Sequence, residues 1–287
     1  MRITAPPPRR FSPSTLAFAS IGLVVLIVLV FVIIKVTGGS TPPATGTAPA
    51  PPVPASAAVV ANVTGVPSTV QATVGLGQGV TAPSVLKSQP KLTSNGKPEM
   101  LFIGAEFCPY CAAERWAMVV ALSHFGTFSG LQETTSSLYD NDPATATFSF
   151  RTATFTSPYL TFVPVEHETN DTTALGTRKL LQPLTTAQNA LWTKYAAQFG
   201  INTGYPFIDI GNKVFVTGPS YDPAVLAGLN QQEIAAKLTN PSDRITQRIV
   251  GTANYLTAGI CAETGNMPAS VCTAPATHKA AVALKLS

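Results

Sequence analysis

The sequence is poor in charge and lacks the patterns that several protein classes require. Only 11% of its 287 residues are charged, and the net charge of +4 comes partly from Arg2, Arg9 and Arg10. Because no basic stretch is interleaved with aromatic residues, we expect no nucleic-acid partner. Ala112 rather than His follows Cys111, which argues against c-type haem attachment. We expect no cofactor and no bound metal.

Cysteine is scarce as well. The chain has four cysteines, in two local pairs with different spacings: Cys108 with Cys111, and Cys261 with Cys272. The roughly 220 residues that follow the N-terminal segments are enough to bury a core without disulfide staples. The role of each pair therefore has to be argued separately.

One long apolar run is present near the N-terminus. Residues 16–34 carry no charge, and about 19 helical residues nearly match a ~30 Å hydrocarbon core. We predict a cytoplasmic tail over residues 1–14 and a single transmembrane helix over residues 15–36. The arginines precede the run and only Lys35 follows it closely, so the rest of the chain is expected outside the cell membrane. A cleaved signal peptide is disfavoured because the run is too long and no Ala-x-Ala site closes it.

The segment after this run cannot build a core. Residues 37–58 are rich in Pro, Ala and Thr, which favours an extended polyproline II stalk, although a disordered tether would have the same composition. We predict an extracytoplasmic domain over residues 59–277 and a C-terminal tail over residues 278–287.

The pattern of the domain predicts a mixed α/β fold. Short Val-rich pieces between residues 59 and 89 predict one or two short strands. A buried strand is expected at 99–105 and a helix directly after the first cysteine pair. Later segments predict a helical insertion, a hairpin across Gly-Asn and closing helices, at residues 175–199, 207–216, 224–238 and 242–258.

The first cysteine pair lies where the predicted strand turns into the helix. A thiolate is the nucleophile in disulfide exchange, and a helix N-terminus stabilises an anion at Cys108. Pro109 suits the first helical turn because the helix could not use its missing N–H group. We predict that Cys108 attacks as the nucleophile and that Cys111 resolves the mixed disulfide.

The spacing of this pair is also compatible with a zinc site or with a structural disulfide. Half of a zinc site has the same spacing, but the further ligands that it needs are scattered along the sequence. A purely structural disulfide would close so short a loop that it removes little chain entropy. Both alternatives stay open at the level of the sequence.

The run from Ala105 to Cys111 closely resembles the active-site run of the thioredoxin superfamily, and Pro109-Tyr110 is the pair typical of glutaredoxins. In that superfamily a cis-proline opposite the dithiol begins the strand of a hairpin, and Tyr205-Pro206 before the predicted hairpin resembles it. The resemblance implies a thioredoxin-like mixed sheet flanked by helices. It also implies that the backbone at Pro206 lies beside Cys108 and pairs with a bound substrate chain.

A narrower resemblance covers about residues 60–275. The run from Gly104 to Leu131 resembles the hallmark of a family of membrane-anchored bacterial proteins catalogued as domain of unknown function 929. It implies a thioredoxin-like domain and supplies no substrate.

The sequence departs from the superfamily pattern at Phe102, where thioredoxins carry a buried Asp that assists proton transfer from the resolving thiol. Glu106, Glu114 and Glu168 are candidates for that role, although each is more simply interpreted as a solvated surface carboxylate. Residues of secondary interest for the site are Glu106, Phe107, Pro109, Tyr110 and Arg115.

Arg115 and Trp116 follow the first turn of the predicted helix. Arg115 could stabilise the Cys108 thiolate, whereas an arginine on such a helix is more often exposed. Trp116 is interpreted as a core residue.

The second cysteine pair follows the last predicted helix. In an oxidising compartment we expect Cys261 and Cys272 to form a structural disulfide worth on the order of 3 kcal/mol. The alternative is that this pair relays electrons with Cys108 and Cys111.

These features predict a membrane-anchored extracytoplasmic thiol-disulfide oxidoreductase that acts on exported proteins and is recycled by a membrane redox partner. The direction of exchange stays open, because a Pro-Tyr pair does not fix the redox potential. The alternative function is a non-catalytic, redox-responsive envelope scaffold or sensor with the same fold.

Overall fold

The computed structural model of the protein describes residues 51–172, 178–200 and 202–286. The predicted cytoplasmic tail, the predicted transmembrane helix and residues 37–50 of the predicted linker lie outside these described residues. Within them, no helix has both the length and the apolar character needed to cross a membrane.

The described residues form a mixed α/β fold. Its strands are β1 Val53–Pro54, β2 Ser84–Val85, β3 Thr93–Ser94, β4 Lys97–Gly104, β5 Thr127–Ser129, β6 Gln132–Thr135, β7 Ala146–Ser149, β8 Thr154–Thr156, β9 Thr161–Glu166, β10 Glu168–Thr172, β11 Arg178–Leu180, β12 Phe207–Ile210 and β13 Val214–Thr217. Its helices are α1 Ala57–Thr64, α2 Ser68–Val74, α3 Pro109–Ser123, α4 Thr186–Gln198, α5 Gln231–Lys237, α6 Arg244–Glu263, α7 Ala269–Cys272 and α8 Pro275–Leu284, with a 3-10 helix at Pro223–Leu226.

Strand β4 is the centre of the main sheet. It pairs in parallel with β9 on one side and antiparallel with β12 on the other, while β13 and β2 continue the sheet beyond β12. The sheet is therefore mixed. Because both edges of β4 are paired and both of its faces are covered, its sequence is a nearly continuous apolar run.

Side chains alternate between two cores across this sheet, as the period of two in a strand requires. One face packs against α3 and α6 and includes Met100 and Phe102 of β4. The other packs against α4 and includes Leu101 and Ile103. The predicted buried strand and the predicted helix after the dithiol are both confirmed.

The hairpin β12–β13 is also confirmed. Its loop has three residues, because Ile210 pairs with Val214. Gly211 and Asn212 in this loop have φ values of 64° and 59°, in the left-handed region that Gly and Asn tolerate. The Asn212 N–H donates a hydrogen bond of 2.7 Å to Oδ1 of Asp209, which closes the turn.

The segment 59–89 differs from the sequence-based prediction of short strands only. It contains α1 and α2, and β2 is its single strand. Side chains at three- and four-residue intervals are buried, which is helical spacing: Val59, Val63, Val66, Val70 and Val74. The Ser56 side chain caps α1 by accepting a hydrogen bond from the Val59 N–H.

The predicted segment boundaries also differ from the structure. The boundary between residues 58 and 59 falls inside α1, and Val53–Pro54 already pairs with β6. Most of the predicted tail 278–287 lies in α8, where Ala280 and Leu284 pack against Tyr255 and Ala258 of α6. Both ends therefore belong to the folded domain: the first through the pairing of Val53–Pro54 with β6, and the second through the burial of Ala280 and Leu284. The start of the predicted insertion, from Arg178, is strand β11 rather than helix.

Candidate functional site

The dithiol lies at the junction of β4 and α3. Strand β4 ends at Gly104, and Cys108 occupies the N-cap of α3 with φ −76° and ψ 120°. Its sulfur accepts a hydrogen bond of 3.2 Å from the Cys111 N–H, and Pro109 occupies the first turn of the helix. The N-cap position directs unpaired backbone N–H groups at the Cys108 sulfur.

The two thiols differ in their access to solvent. Both cysteines are free; Cys108 is 4% exposed and Cys111 is 0% exposed. Cys108 is therefore the less deeply buried of the two cysteines.

The two thiols also differ in acidity. Burial raises the pKa of Cys108, but hydrogen bonds from the Cys111 thiol and backbone and the charge of Arg115 outweigh burial and bring it below its ordinary value. Burial raises the pKa of Cys111 well above its ordinary value, and the neighbouring Cys108 sulfur adds to this effect. The less deeply buried thiol, that of Cys108, is therefore the more acidic one.

Tyr205 and Pro206 lie opposite the dithiol. The peptide bond between them is cis, and the Tyr205 carbonyl oxygen is 3.9 Å from the Cys108 sulfur. The Tyr205 ring stacks on Trp192 of α4, and its hydroxyl donates a hydrogen bond of 2.9 Å to Glu168. The insertion that carries α4 thus helps to hold the segment facing Cys108.

Arg115 is fully buried, so the interpretation of it as an exposed helix residue is wrong. Its Nε donates to Oε1 of Glu166 at 3.0 Å and its Nη2 donates to Oε2 of the same carboxylate at 2.5 Å. Nη2 also donates to the Ala105 carbonyl at 3.0 Å, which ties α3 to the turn before the dithiol. A buried charge needs such a partner, and Glu166 at the end of β9 provides it.

Glu106 and Glu114 are buried, so their interpretation as solvated surface carboxylates is wrong. Oε1 of Glu106 accepts a hydrogen bond of 2.5 Å from Ser149, whereas its Oε2 has no hydrogen-bond partner among the described residues. Both oxygens of Glu114 accept hydrogen bonds from Ser220, at 2.7 and 3.2 Å. Burial raises the pKa of each carboxyl to about 7, and for Glu106 the charge of Glu166 contributes to the rise.

Half-buried residues form the rim of the site. Phe107 and Tyr110 lie on either side of Cys108 in the chain, and the guanidinium of Arg178 lies 4.0 Å from the centre of the Phe107 ring. The loop that follows β6 is joined to Phe107 by a backbone hydrogen bond and exposes Leu138 and Tyr139. An apolar, partly aromatic surface therefore adjoins the dithiol.

An open cleft of about 400 Å³ lies beyond Tyr205. His167 lines it, and the His167 ring is centred 6.2 Å from that of Tyr205. Leu180, Pro183 and Leu184 give the cleft apolar walls.

Cys261 and Cys272 form a disulfide, as expected from the sequence. The end of α6 that carries Cys261 packs against the β12–β13 turn, where a Cβ added at Gly259 would lie 3.2 Å from Ile210 and one added at Gly211 would collide with Glu263. The dithiol lies at the other end of β12, beside Tyr205. Six residues of extended chain span about 20 Å, too far for direct exchange between the two pairs in one folded molecule.

Sequence reasoning missed three polar residues around the dithiol. Glu166 and Ser149 come from β9 and β7, and Ser220 follows β13. A signal for Glu166 exists in the sequence, since a charged residue ends an otherwise apolar strand. Phe102, in contrast, is fully buried and packs edge-on against Phe150, so no acid occupies its position.

A comparison with known protein families finds one match. The model described as "Domain of unknown function (DUF929)" matches residues 84–262, which is more than half of the chain. No curated protein and no solved structure matches the chain.

Proposed function

We propose that this chain, which belongs to the DUF929 family, is a membrane-anchored extracytoplasmic thiol-disulfide oxidoreductase that exchanges disulfides with exported proteins. One observation carries the proposal. The sulfur of Cys108 caps helix α3, accepts the Cys111 N–H and has a lowered pKa, while Cys111 lies buried next to it. This is the asymmetry that a nucleophilic and a resolving thiol require.

The exchange takes two steps. The Cys108 thiolate attacks one sulfur of a substrate disulfide, so that a mixed disulfide forms and the other substrate sulfur leaves as a thiolate. Cys111 then loses its proton and attacks the Cys108 sulfur, which forms the Cys108–Cys111 disulfide and releases the second substrate thiolate. The substrate gains two electrons and the dithiol loses them; the reverse sequence oxidises a substrate. A membrane redox partner would restore the starting state.

The arrangement around the dithiol supports a thioredoxin-like domain as the finer fold class. The dithiol joins a central strand to a helix, and a cis-proline that begins a hairpin strand lies opposite it. In this interpretation the backbone at Tyr205 and Pro206 pairs with the bound substrate chain. The long insertion between β9 and β12 adds α4 and the cleft lined by His167.

Two features support a location of the domain outside the cytoplasm. The Cys261–Cys272 disulfide is typical of oxidising compartments. The uncharged run at residues 16–34, with arginines before it, favours an anchor whose C-terminal side faces outward.

The test is catalysis of insulin reduction and of the refolding of scrambled ribonuclease by the purified protein. We expect the wild type to accelerate at least one reaction, Cys108→Ser to be inactive, and Cys111→Ser to accumulate a mixed disulfide with substrate. A wild type that has an intact, reducible Cys108–Cys111 pair but accelerates neither reaction would refute the enzymatic proposal.

The low exposure of Cys108 favours a second candidate, a redox-responsive scaffold or sensor. In that case oxidation of the dithiol would alter binding to a membrane partner without substrate turnover. The two candidates differ in the insulin and ribonuclease assays, because a scaffold shows no turnover with either substrate.

A further inference from the structure

The buried resolving thiol needs a proton acceptor. Cys111 has no exposed surface, and its thiol must lose a proton before it can attack the Cys108 sulfur. The apolar ring of Phe102 cannot take that proton. Arg115 lies near both sulfurs, but a guanidinium cannot act as a base at neutral pH.

Three carboxyls could serve, and their contacts separate them. Glu114 has hydrogen bonds on both oxygens from Ser220 and is fully buried. Glu168 is half-buried, and its carboxylate accepts a hydrogen bond from the Tyr205 hydroxyl. Glu106 alone combines a buried oxygen without a partner with a slight exposure to solvent, 5%.

Glu106 and Cys111 share Arg115 as a neighbour, and its charge acts on both side chains. The main chain of Ala105, the residue before it, hydrogen-bonds to the Cys111 sulfur and accepts from Arg115. Ser149, which holds its Oε1, comes from β7, and Thr147 of the same strand donates to the Ala112 carbonyl in the first turn of α3. The Glu106 carboxyl is thus fixed between β7 and the turn that carries Cys111.

A buried carboxyl oxygen without a hydrogen-bond partner is unfavourable and calls for a physical reason. We propose that Glu106 accepts the proton of Cys111 when the mixed disulfide is resolved, and returns it when the Cys108–Cys111 disulfide is reduced. This proposal rests on the proposed exchange activity.

In the forward step the Cys111 S–H bond breaks, the proton binds to Glu106 directly or through one water, and the new sulfur–sulfur bond forms as the substrate thiolate leaves. The proton then passes to solvent or to that thiolate.

The charges around Glu106 fit this role. They are Arg115 from α3, Glu166 at the end of β9 and Arg151 after β7. The Arg115–Glu166 pair is neutral as a whole, so the protonation of Glu106 decides the net charge of the cluster. A base whose pKa is about 7 is half ionised at neutral pH and can both accept and return a proton there.

The test separates the two steps with Ellman's reagent on the reduced full-length protein. Attack by Cys108 releases one nitrothiobenzoate and leaves the other as a mixed disulfide, and attack by Cys111 releases the second. Rapid mixing at a series of pH values gives the rate of each phase. Cys111→Ser, which lacks the second phase, identifies it.

We expect Glu106→Gln to leave the first phase within about twofold of wild type and to slow the second about 100-fold near pH 7, a typical effect for loss of a general base. The difference should shrink at alkaline pH, where hydroxide removes the thiol proton. Ser149→Ala should move the pH midpoint of the second phase upward, because it removes a hydrogen bond that favours the ionised carboxylate. Glu114→Gln, also a buried carboxyl of pKa about 7, should leave both phases unchanged.

Equal second phases for wild type and Glu106→Gln at every pH would overturn the role of Glu106. That result would leave the exchange activity standing, whereas a wild type without a first phase would refute the activity itself. Circular dichroism shows whether Glu106→Gln folds. If it does not fold, the Ser149→Ala variant provides the test, and a second phase whose pH midpoint equals that of the wild type would overturn the proposal.

Discussion

At the dithiol, small differences in position give two neighbouring cysteines opposite properties. Cys108 caps the helix and accepts the Cys111 N–H, whereas Cys111 lies one turn inside, where its thiolate would lack solvent. The energetic reason is that burial opposes any charge, and only Cys108 has enough compensating hydrogen bonds.

We therefore predict selective alkylation of the reduced protein. Iodoacetamide should modify Cys108 with a pH midpoint below the ordinary thiol value and leave Cys111 unmodified in the folded state. Cys111→Ala should raise that midpoint, because it removes the hydrogen bond from the Cys111 thiol that contributes to the lowered pKa. Peptide mass spectrometry after timed quenching measures both, and equal labelling of the two cysteines in the wild type would contradict the prediction.

Arg115 gives a second prediction at this scale. Arg115→Met leaves the Glu166 carboxylate buried without its cation, so the free energy of unfolding should fall by about 3–5 kcal/mol. Urea denaturation measures the loss, and the exposed Arg244→Met is the matched control, expected within about 0.5 kcal/mol of wild type. Adding Glu166→Gln to Arg115→Met should recover part of the loss, and a double variant no more stable than the single one would argue against the ion pair as its cause.

Among the elements, helix α8 lies mostly beyond the end of the domain that the sequence predicts, and its buried side chains make it part of that domain. Its Leu284 is 7% exposed and packs on α6, while Val282, two residues earlier, is 52% exposed. Leu284→Ala should lower the free energy of unfolding by about 2–3 kcal/mol through the loss of buried apolar contacts. Val282→Ala, the control on the same helix, should change it by about 0.5 kcal/mol or less. Equal effects would mean that α8 does not pack as described.

The elements that could be predicted from the sequence carry local signals. The apolar run of β4, the proline after Cys108 and the Gly-Asn turn of the β12–β13 hairpin each specify their structure within a few residues. Helices α1 and α2 could not be predicted, because their valines favour strands by local propensity and only packing against α3, α5 and α6 decides the outcome.

The polar contacts around the dithiol could not be predicted from the sequence either, because they also depend on tertiary packing. Arg115 and Glu166 are 51 residues apart, and Glu106 meets Ser149 across 43. Such pairs follow from the pairing of β4 with β9 and the position of β7 beside α3, which no local pattern contains. The sequence could nominate Glu106 and Arg115 as candidates, but only the tertiary structure shows that both are buried.

At the scale of the whole molecule, the free dithiol and the disulfide lie toward opposite ends of strand β12. The free dithiol lies at the Tyr205 end of β12 and the Cys261–Cys272 disulfide at the Gly211 end. An electron relay between the pairs would need the sulfurs in contact, which this separation prevents in one folded molecule. Under the proposed exchange activity, the dithiol would then exchange electrons with another molecule rather than with Cys261 and Cys272.

Buried carboxyls are spread over both ends of the molecule and should make its stability depend on pH in an unusual direction. Glu106, Glu114 and Asp209 each have a pKa raised to about 7, with burial as the largest cause; for Asp209, the charges of Glu99 and Glu263 add to it. Oδ2 of Asp209, like Oε2 of Glu106, is buried without a hydrogen-bond partner among the described residues.

The sign follows from proton binding. Between about pH 4 and 7 the folded state holds protons on these carboxyls that the unfolded state has lost, so stability falls as pH rises. Their contribution to the free energy of unfolding is fully present below the ordinary carboxyl pKa and is lost as pH passes through 7, by on the order of 3 kcal/mol for each group.

We expect a free energy of unfolding several kcal/mol lower at pH 8 than at pH 5, measured by urea denaturation of the full-length protein. Glu114→Gln, neutral at every pH, should reduce that difference, while the exposed Glu233→Gln should preserve it. A stability that rises from pH 5 to pH 8 would mean that these carboxyls are ionised in the folded protein, and Glu106 would then lose its suitability as a proton acceptor for Cys111.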